Sequence, residues 1–377
     1  MAGRQVDASP TGLRARDGVG FAVALIVLLI GAGLRIASRP KRHFDEHLFQ
    51  NVAQHIVDVG LPIDSYAFPD RPYLFFDHTP LYVYFLAGLT ALGGPTVPIA
   101  RGASLVFGFL TVALVFYICL RLRGRGSAFV AALLVAANPF FVTYSWFIRM
   151  EVPLCFFLVL AVWLLQTRRF LLAGLAVATA VMLKEIALAF WGIAVVYAVV
   201  RHGWRAGAGV ALPAPAAIVA WLGYAATLDA GQLAATLERW GRSAVGSEPQ
   251  NWRFRIGPLR WTRIMLNDVI GPVTVFASGV VVAFGLMRPS RIPPITVVPA
   301  AYSAVAVAAS YLLSLKEPRF LIAVVPMLAL TLGLAVDWGE LGMIARHQAR
   351  EALGVAPRRV RSLTRRRGGD GDPGQSL

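Results

Sequence analysis

The chain has 377 residues, 57% of them hydrophobic and only 15% charged, with a mean hydropathy of +0.63. A soluble domain carries about 25% charged residues, so this composition excludes an ordinary soluble fold. The net charge of +16 does not imply nucleic acid as a partner, because the basic residues fall in short clusters between apolar runs, as the positive-inside rule expects.

Residues 1–18 carry Arg4, Arg14 and Arg16 and precede a first apolar run at 19–37. No small-residue cleavage site follows that run, so an uncleaved first span with a cytoplasmic N-terminus is expected. Residues 38–79 then form a first external loop. Within it Leu48, Phe49, Val52, Ala53, Ile56, Val57 and Val59 recur near a 3.6-residue period, with Gln50, Gln54 and Asp58 between them. That pattern predicts a juxtamembrane amphipathic helix over 48–59 lying in the interface. Asp45 stands just before it, either as a helix N-cap or as a carboxylate held at the membrane surface. Six of the chain's 20 acidic residues, Asp45, Glu46, Asp58, Asp64, Asp70 and Asp77, crowd into this loop, which favours the second reading. His43, His47, His55 and His78 share the loop. Their spacing suits surface or hydrogen-bonded roles, and a divalent metal stays open as a cofactor with its ligands unknown.

The loop closes on Phe75-Phe76-Asp77-His78-Thr79-Pro80-Leu81-Tyr82, and two apolar pieces follow at 80–93 and 98–120. The charges at the two ends of 80–120 require one crossing, and the first piece is too short for an ordinary span. Further spans are expected at 127–146, 152–166, 170–183, 186–200, 207–227, 264–287, 295–313 and 320–337. The chain is therefore read as an all-α, polytopic transmembrane bundle, with its membrane domain over 19–345. It would have ten full spans plus one short membrane-associated segment, or eleven spans. The arginine clusters at 121–125, 168–169, 201–205 and 288–291 face the cytoplasm, as does a basic, disordered tail at 346–377 near anionic lipid. Cys119 and Cys155 lie inside apolar runs and read as small buried hydrophobes. On the external side remain the turns 147–151 and 184–185 and a loop at 228–263. That loop carries Arg239, Arg242, Arg253, Arg255, Arg260 and Arg263 beside Trp240, Trp252 and Trp261, an arrangement suited to phosphate or lipid headgroups.

An acidic pair after the first span, an amphipathic helix and a polar residue before a Pro-Leu-Tyr run resemble the GT-C glycosyltransferases. The nearest branch is family 39, with the protein O-mannosyltransferases and aminoarabinose transferase-like enzymes. The resemblance continues in NPFFVTYSWFIRMEVPLCFF (138–157), VMLKEIAL (181–188) and LKEPRFLIAVVPMLAL (315–330), and covers roughly residues 20–335. It implies transfer of a sugar from a polyprenyl-phosphate donor, on the extracytoplasmic side of the cell membrane, to a lipid, glycan or protein acceptor. Two departures stand out. Thr79-Pro80 replaces the usual Pro-Pro, with His78 where some relatives have Lys. In addition, no large extramembrane domain is expected after the last span, so the acceptor stays undetermined.

Such a transfer needs a base for the acceptor's proton and fixed cations for the leaving phosphate. The resemblance assigns Asp45 as the base, with Glu46 assisting it, orienting the acceptor or binding a metal. Substrate-binding roles fall to Asp77, His78, Tyr82, Arg149, Glu151, Lys184, Lys316 and Arg319. Only three of the 36 basic residues are lysines, Lys41, Lys184 and Lys316, and all three fall on the expected external face. Ionisable groups at that depth are functional by default. The plainer readings are local ion pairs, Arg149 with Glu151, Lys184 with Glu185, and Lys316 or Arg319 with Glu317. A transporter of lipid-linked sugars would instead cluster its charges near the midplane between related halves, and a scaffold would not need an acidic loop.

Overall fold

A computed structural model of the chain describes residues 15–38, 44–67, 70, 72–245, 258–271, 274, 292–312 and 318–335. Lys41, Lys316, Glu317, the 346–377 tail and most of the 264–287 run lie outside these residues. The described chain is helical almost throughout. Helices α1 (Ala15–Ser38), α2 (Phe44–Val59), α3 (Leu81–Gly93), α4 (Val97–Arg123), α5 (Arg125–Ala136) and α6 (Pro139–Trp146) come first. They are followed by α7 (Glu151–Gln166), α8 (Phe170–Leu183), α9 (Ala187–His202), α10 (Trp204–Ala211) and α11 (Pro213–Val245). The last helices are α12 (Pro258–Ile264), α13 (Val297–Leu312) and α14 (Val324–Ala335), with a 3-10 helix at Pro318–Leu321 leading into α14. In the first loop a small antiparallel ribbon pairs β1 (Ile63–Asp64) with β2 (Tyr73–Leu74), which the sequence reading did not foresee.

Breaks in the apolar runs have local causes. The 127–146 run, expected as one span, is two helices bent by 62°. Pro139 has no N–H for the preceding turn, and Asn138 restarts the helix by accepting the Phe141 amide at 2.9 Å. Gly124 and Gly203, with φ of 93° and 87°, close α4 and α9 in a conformation that L side chains rarely adopt. By length and composition, three of the described helices suffice to cross a membrane, Val97–Arg123, Trp204–Gly241 and Pro294–Tyr311. The bent α5–α6 pair makes a fourth, and six shorter apolar helices of 10–17 residues, α3 among them, accompany these.

The sequence reading also changes on either side of the site. The stretch from 228, expected as a loop, continues as helix to Val245 beyond a kink at Asp229, whose carboxylate accepts the Gln232 amide at 2.8 Å. Asp45 is not the N-cap of the amphipathic helix, because α2 already begins at Phe44 and holds Asp45 and Glu46 in its first turn. Carboxylates there face the positive end of the helix dipole.

In lipid, packing rather than expulsion of water holds helices together, so small residues at contacts matter most. Helix α8 buries Ala173, Gly174, Ala176, Val177 and Ala180. Cys119 and Cys155 are fully buried apolar fillers. A second cluster positions the site: Phe49, Val52 and Ala53 of α2 pack on Tyr82, Val83 and Leu86 of α3 and on Ile148 and Met150 of the turn before α7. The buried face of α2 is thus one narrow stripe, and Val57 and Val59 at its end are exposed.

Candidate active site

The first turn of α2 meets the turn between α6 and α7 and the 3-10 helix before α14. Arg149 Nη1 lies 2.5 Å from Asp45 Oδ2, and Arg319 Nη1 donates to the same oxygen. Asp45 and Arg149 are 14% and 4% exposed, while Arg319 is 25% exposed. The Arg149 guanidinium also lies over the Tyr144 ring at 5.5 Å. Two arginines thus share the Asp45 carboxylate, and the charge of Arg149 also acts on Glu151; the Glu317 expected to pair with Arg319 lies outside the described residues. Folding brings together residues 45, 149 and 319, which no local spacing could relate.

Glu46 points the other way. It accepts Arg101 Nε at 2.9 Å and Nη2 at 2.7 Å, and Oε1 also takes the Ile148 amide at 3.1 Å. Arg101 in turn lies over the Trp146 ring at 5.4 Å. This buried, bidentate pair ties α2 to α4 and holds the turn that presents Arg149. Glu46 is fully buried, so its geometry suits orientation of that turn rather than contact with an acceptor. Nor do the adjacent carboxylates fit a metal: Glu46 gives both oxygens to Arg101, and Asp45 Oδ2 faces two cations. Among the described residues, no three His, Cys, Asp or Glu side chains gather to hold one.

Glu151, the first residue of α7, accepts Lys184 Nζ at 2.7 Å, and both side chains are 2% exposed. Lys184 therefore pairs with Glu151 and is enclosed rather than presented at a surface. Glu185 instead faces His78, Nδ1 to Oε2 at 3.9 Å, beyond hydrogen-bond reach. Tyr82 is buried edge-on against Phe49 at 5.3 Å. Asp77 accepts Tyr73 Oη at 2.9 Å and Arg239 Nη1 at 3.0 Å. Burial, followed by the charges of Asp77 and Asp64, pushes the Tyr73 phenol well above its ordinary range, so it stays a donor. Gln232 of α11 completes this edge, bonding both the amide and the carbonyl of Leu74 in β2. Of the loop histidines, His55 bonds Ser65 Oγ at 2.9 Å and His47 stacks on Tyr66.

Beside these groups runs an apolar groove of about 600 Å³ between α3, α8 and the α10–α11 junction. Pro80 and Leu81 line it two and three residues from His78, and Met182 lines it two residues from Lys184.

A family model described as dolichyl-phosphate-mannose-protein mannosyltransferase matches residues 77–228. Among solved structures, the chain is similar to ArnT from Cupriavidus metallidurans bound to undecaprenyl phosphate, with a TM-score of 0.57 and 19% identity over 88% of this chain and 63% of that one. The apo state of that protein gives 0.55 and 16% over the same shares. Archaeal oligosaccharyltransferase AglB from Archaeoglobus fulgidus, in complex with an inhibitory peptide and a dolichol-phosphate, gives 0.54 and 13% over 91% of this chain and 53% of that one. The fold is that of the GT-C membrane glycosyltransferases. The chain spans less than two thirds of the length of those structures. No curated protein matches it.

Within the GT-C fold the sequence reading missed Arg101, Tyr73 and Gln232. Arg101 had a signal, being a guanidinium inside the apolar 98–120 run, where an ionisable group needs a partner. Tyr73 and Gln232 had none, because each matters only through a contact that folding makes.

Proposed function

We propose that the chain is a membrane glycosyltransferase that takes a sugar from a polyprenyl-phosphate donor. Asp45 would be the general base, and the site would open on the extracytoplasmic face. The observation that carries this reading is a part-buried carboxylate held between Arg149 and Arg319, in a chain that also has an apolar groove lined by Pro80 and Leu81. A base, cations for a phosphate and a slot for a hydrocarbon tail are the three needs of such a transfer. The solved relatives bound to undecaprenyl phosphate and dolichol-phosphate support that donor class. The groove volume falls within the usual 300–1,000 Å³ of ligand pockets, and its Pro80–Leu81 end lies two to three residues along the chain from His78.

In the reaction, the bond between the sugar's anomeric carbon and the phosphate oxygen breaks. A bond from the acceptor oxygen to that carbon forms, and the acceptor's proton passes to Asp45. Polyprenyl phosphate leaves with the electron pair, and its added charge faces the arginines. Acceptors in this reading are lipid, glycan or protein hydroxyls.

The test is transfer of a labelled sugar from polyprenyl phosphate by purified variants. Asp45→Asn keeps the size of the side chain but removes the proton acceptor, so the rate should fall roughly 100-fold or more. Asp77→Asn should keep most of the activity, because Asp77 serves Tyr73 and Arg239. An Asp45→Asn enzyme near wild-type rate, with Asp77→Asn inactive, would move the base to Asp77.

A further inference from the structure

The two arginines on Asp45 are not equivalent. Arg149 is 4% exposed, lies over Tyr144, and follows the Ile148 amide that Glu46 holds. Arg319 is 25% exposed and sits on a four-residue 3-10 helix. Both meet Oδ2, the carboxylate oxygen that faces the cations. A carboxylate has two oxygens and about four lone-pair sites, and both cations crowd one of those oxygens. The proposed base is therefore held by the same cations that the donor phosphate needs.

A phosphate competes well for a guanidinium, because charge-assisted and often bidentate bonds form to its oxygens. Giving up Arg149 would dismantle a packed turn, whereas giving up Arg319 moves one side chain that is 25% exposed. We propose that Arg319 is exchanged between two anions. It sits on Asp45 when the donor is absent and on the donor phosphate when the donor is bound, which releases Asp45 Oδ2 from one of its two cations. This rests on the reading of Asp45 as base and of polyprenyl phosphate as donor carrier. An acceptor arriving before the donor would meet a carboxylate still paired with both arginines.

The exchange makes a counterintuitive prediction: removing the proposed base should tighten binding of the lipid phosphate. Undecaprenyl phosphate in detergent micelles is titrated against the full chain as wild type, Asp45→Asn, Arg319→Ala and the double variant, each first shown monodisperse. Asp45→Asn should lower the Kd about tenfold, or ~1.4 kcal/mol, because Arg319 no longer has to leave a carboxylate. In the Arg319→Ala background the same change should alter Kd by less than about threefold, since a coupling of this kind vanishes when one partner is absent. Arg319→Gln, which keeps much of the length and loses the charge, replaces Arg319→Ala if that variant does not fold. No tightening by Asp45→Asn, or an equal gain with and without Arg319, overturns the exchange while leaving the donor reading intact. Absence of saturable binding by the wild type overturns the donor reading and the exchange with it.

Discussion

Lys184 and Glu151, 2.7 Å apart and each 2% exposed, are both shut away from bulk solvent. Removing one member of such a pair leaves an uncompensated buried charge, which costs far more than the pair contributes as a whole. Lys184→Ala should therefore destabilise the protein by about 3 kcal/mol, toward the low end of the usual range because Arg149 and Arg319 also face Glu151. Thermal unfolding in detergent measures this. Lys184→Met combined with Glu151→Gln should recover much of the loss. If Lys184→Ala instead unfolds like the wild type and only weakens donor binding, Lys184 is a donor contact as the sequence suggested. Lys184 was legible as a functional candidate because a lysine at that depth is rare. Its partner was not, because Glu185 is adjacent in sequence whereas Glu151 is brought close only by the packing of α7 on α8.

At the scale of elements, the site depends on how closely helices approach. The turn carrying Lys184 hangs from the end of α8, and α8 packs against α10 through glycines. A Cβ on Gly174 would lie 2.4 Å from the Gly209 carbonyl oxygen and 2.9 Å from Pro213 Cγ, the first of these being backbone that cannot rotate away. Gly174→Ala should thus force α8 and α10 apart and cost about 1–3 kcal/mol, the range for overpacking. A lower unfolding temperature with reduced sugar transfer is expected, and unchanged values for both would show that the contact yields freely. Element positions were largely readable in advance: α2, α3, α7, α8 and α9 fall close to the apolar stretches that foretold them. Errors arose where one residue redirects the backbone. Asn138 and Pro139 split a single apolar run, and Asp229 lets α11 continue past the end of another.

For the whole molecule, charge alternation predicts that the first loop faces outward. Val59 is 59% exposed at the end of α2, and the two native cysteines are buried, so Val59→Cys provides a clean label. An impermeant maleimide should modify it in intact cells. Labelling only after lysis would invert the topology and put Asp45 on the cytoplasmic side. The sequence by itself determined the helical membrane class, the resemblance to GT-C enzymes and the crowding of carboxylates in the first loop. Composition, periodicity and charge sign are properties of the chain read in order, and they survive without knowledge of contacts. Only the tertiary structure decided who pairs with whom. Asp45 reaches across more than a hundred residues to Arg149 and further still to Arg319, and Glu46 turns away to Arg101. Those choices follow from the α2 stripe of Phe49, Val52 and Ala53 packing on α3 and the Ile148 turn, which rotates two neighbouring carboxylates toward different cations. Buried charges must find opposite partners in a medium of low dielectric, and which partners are in reach is a matter of packing geometry that linear spacing does not encode.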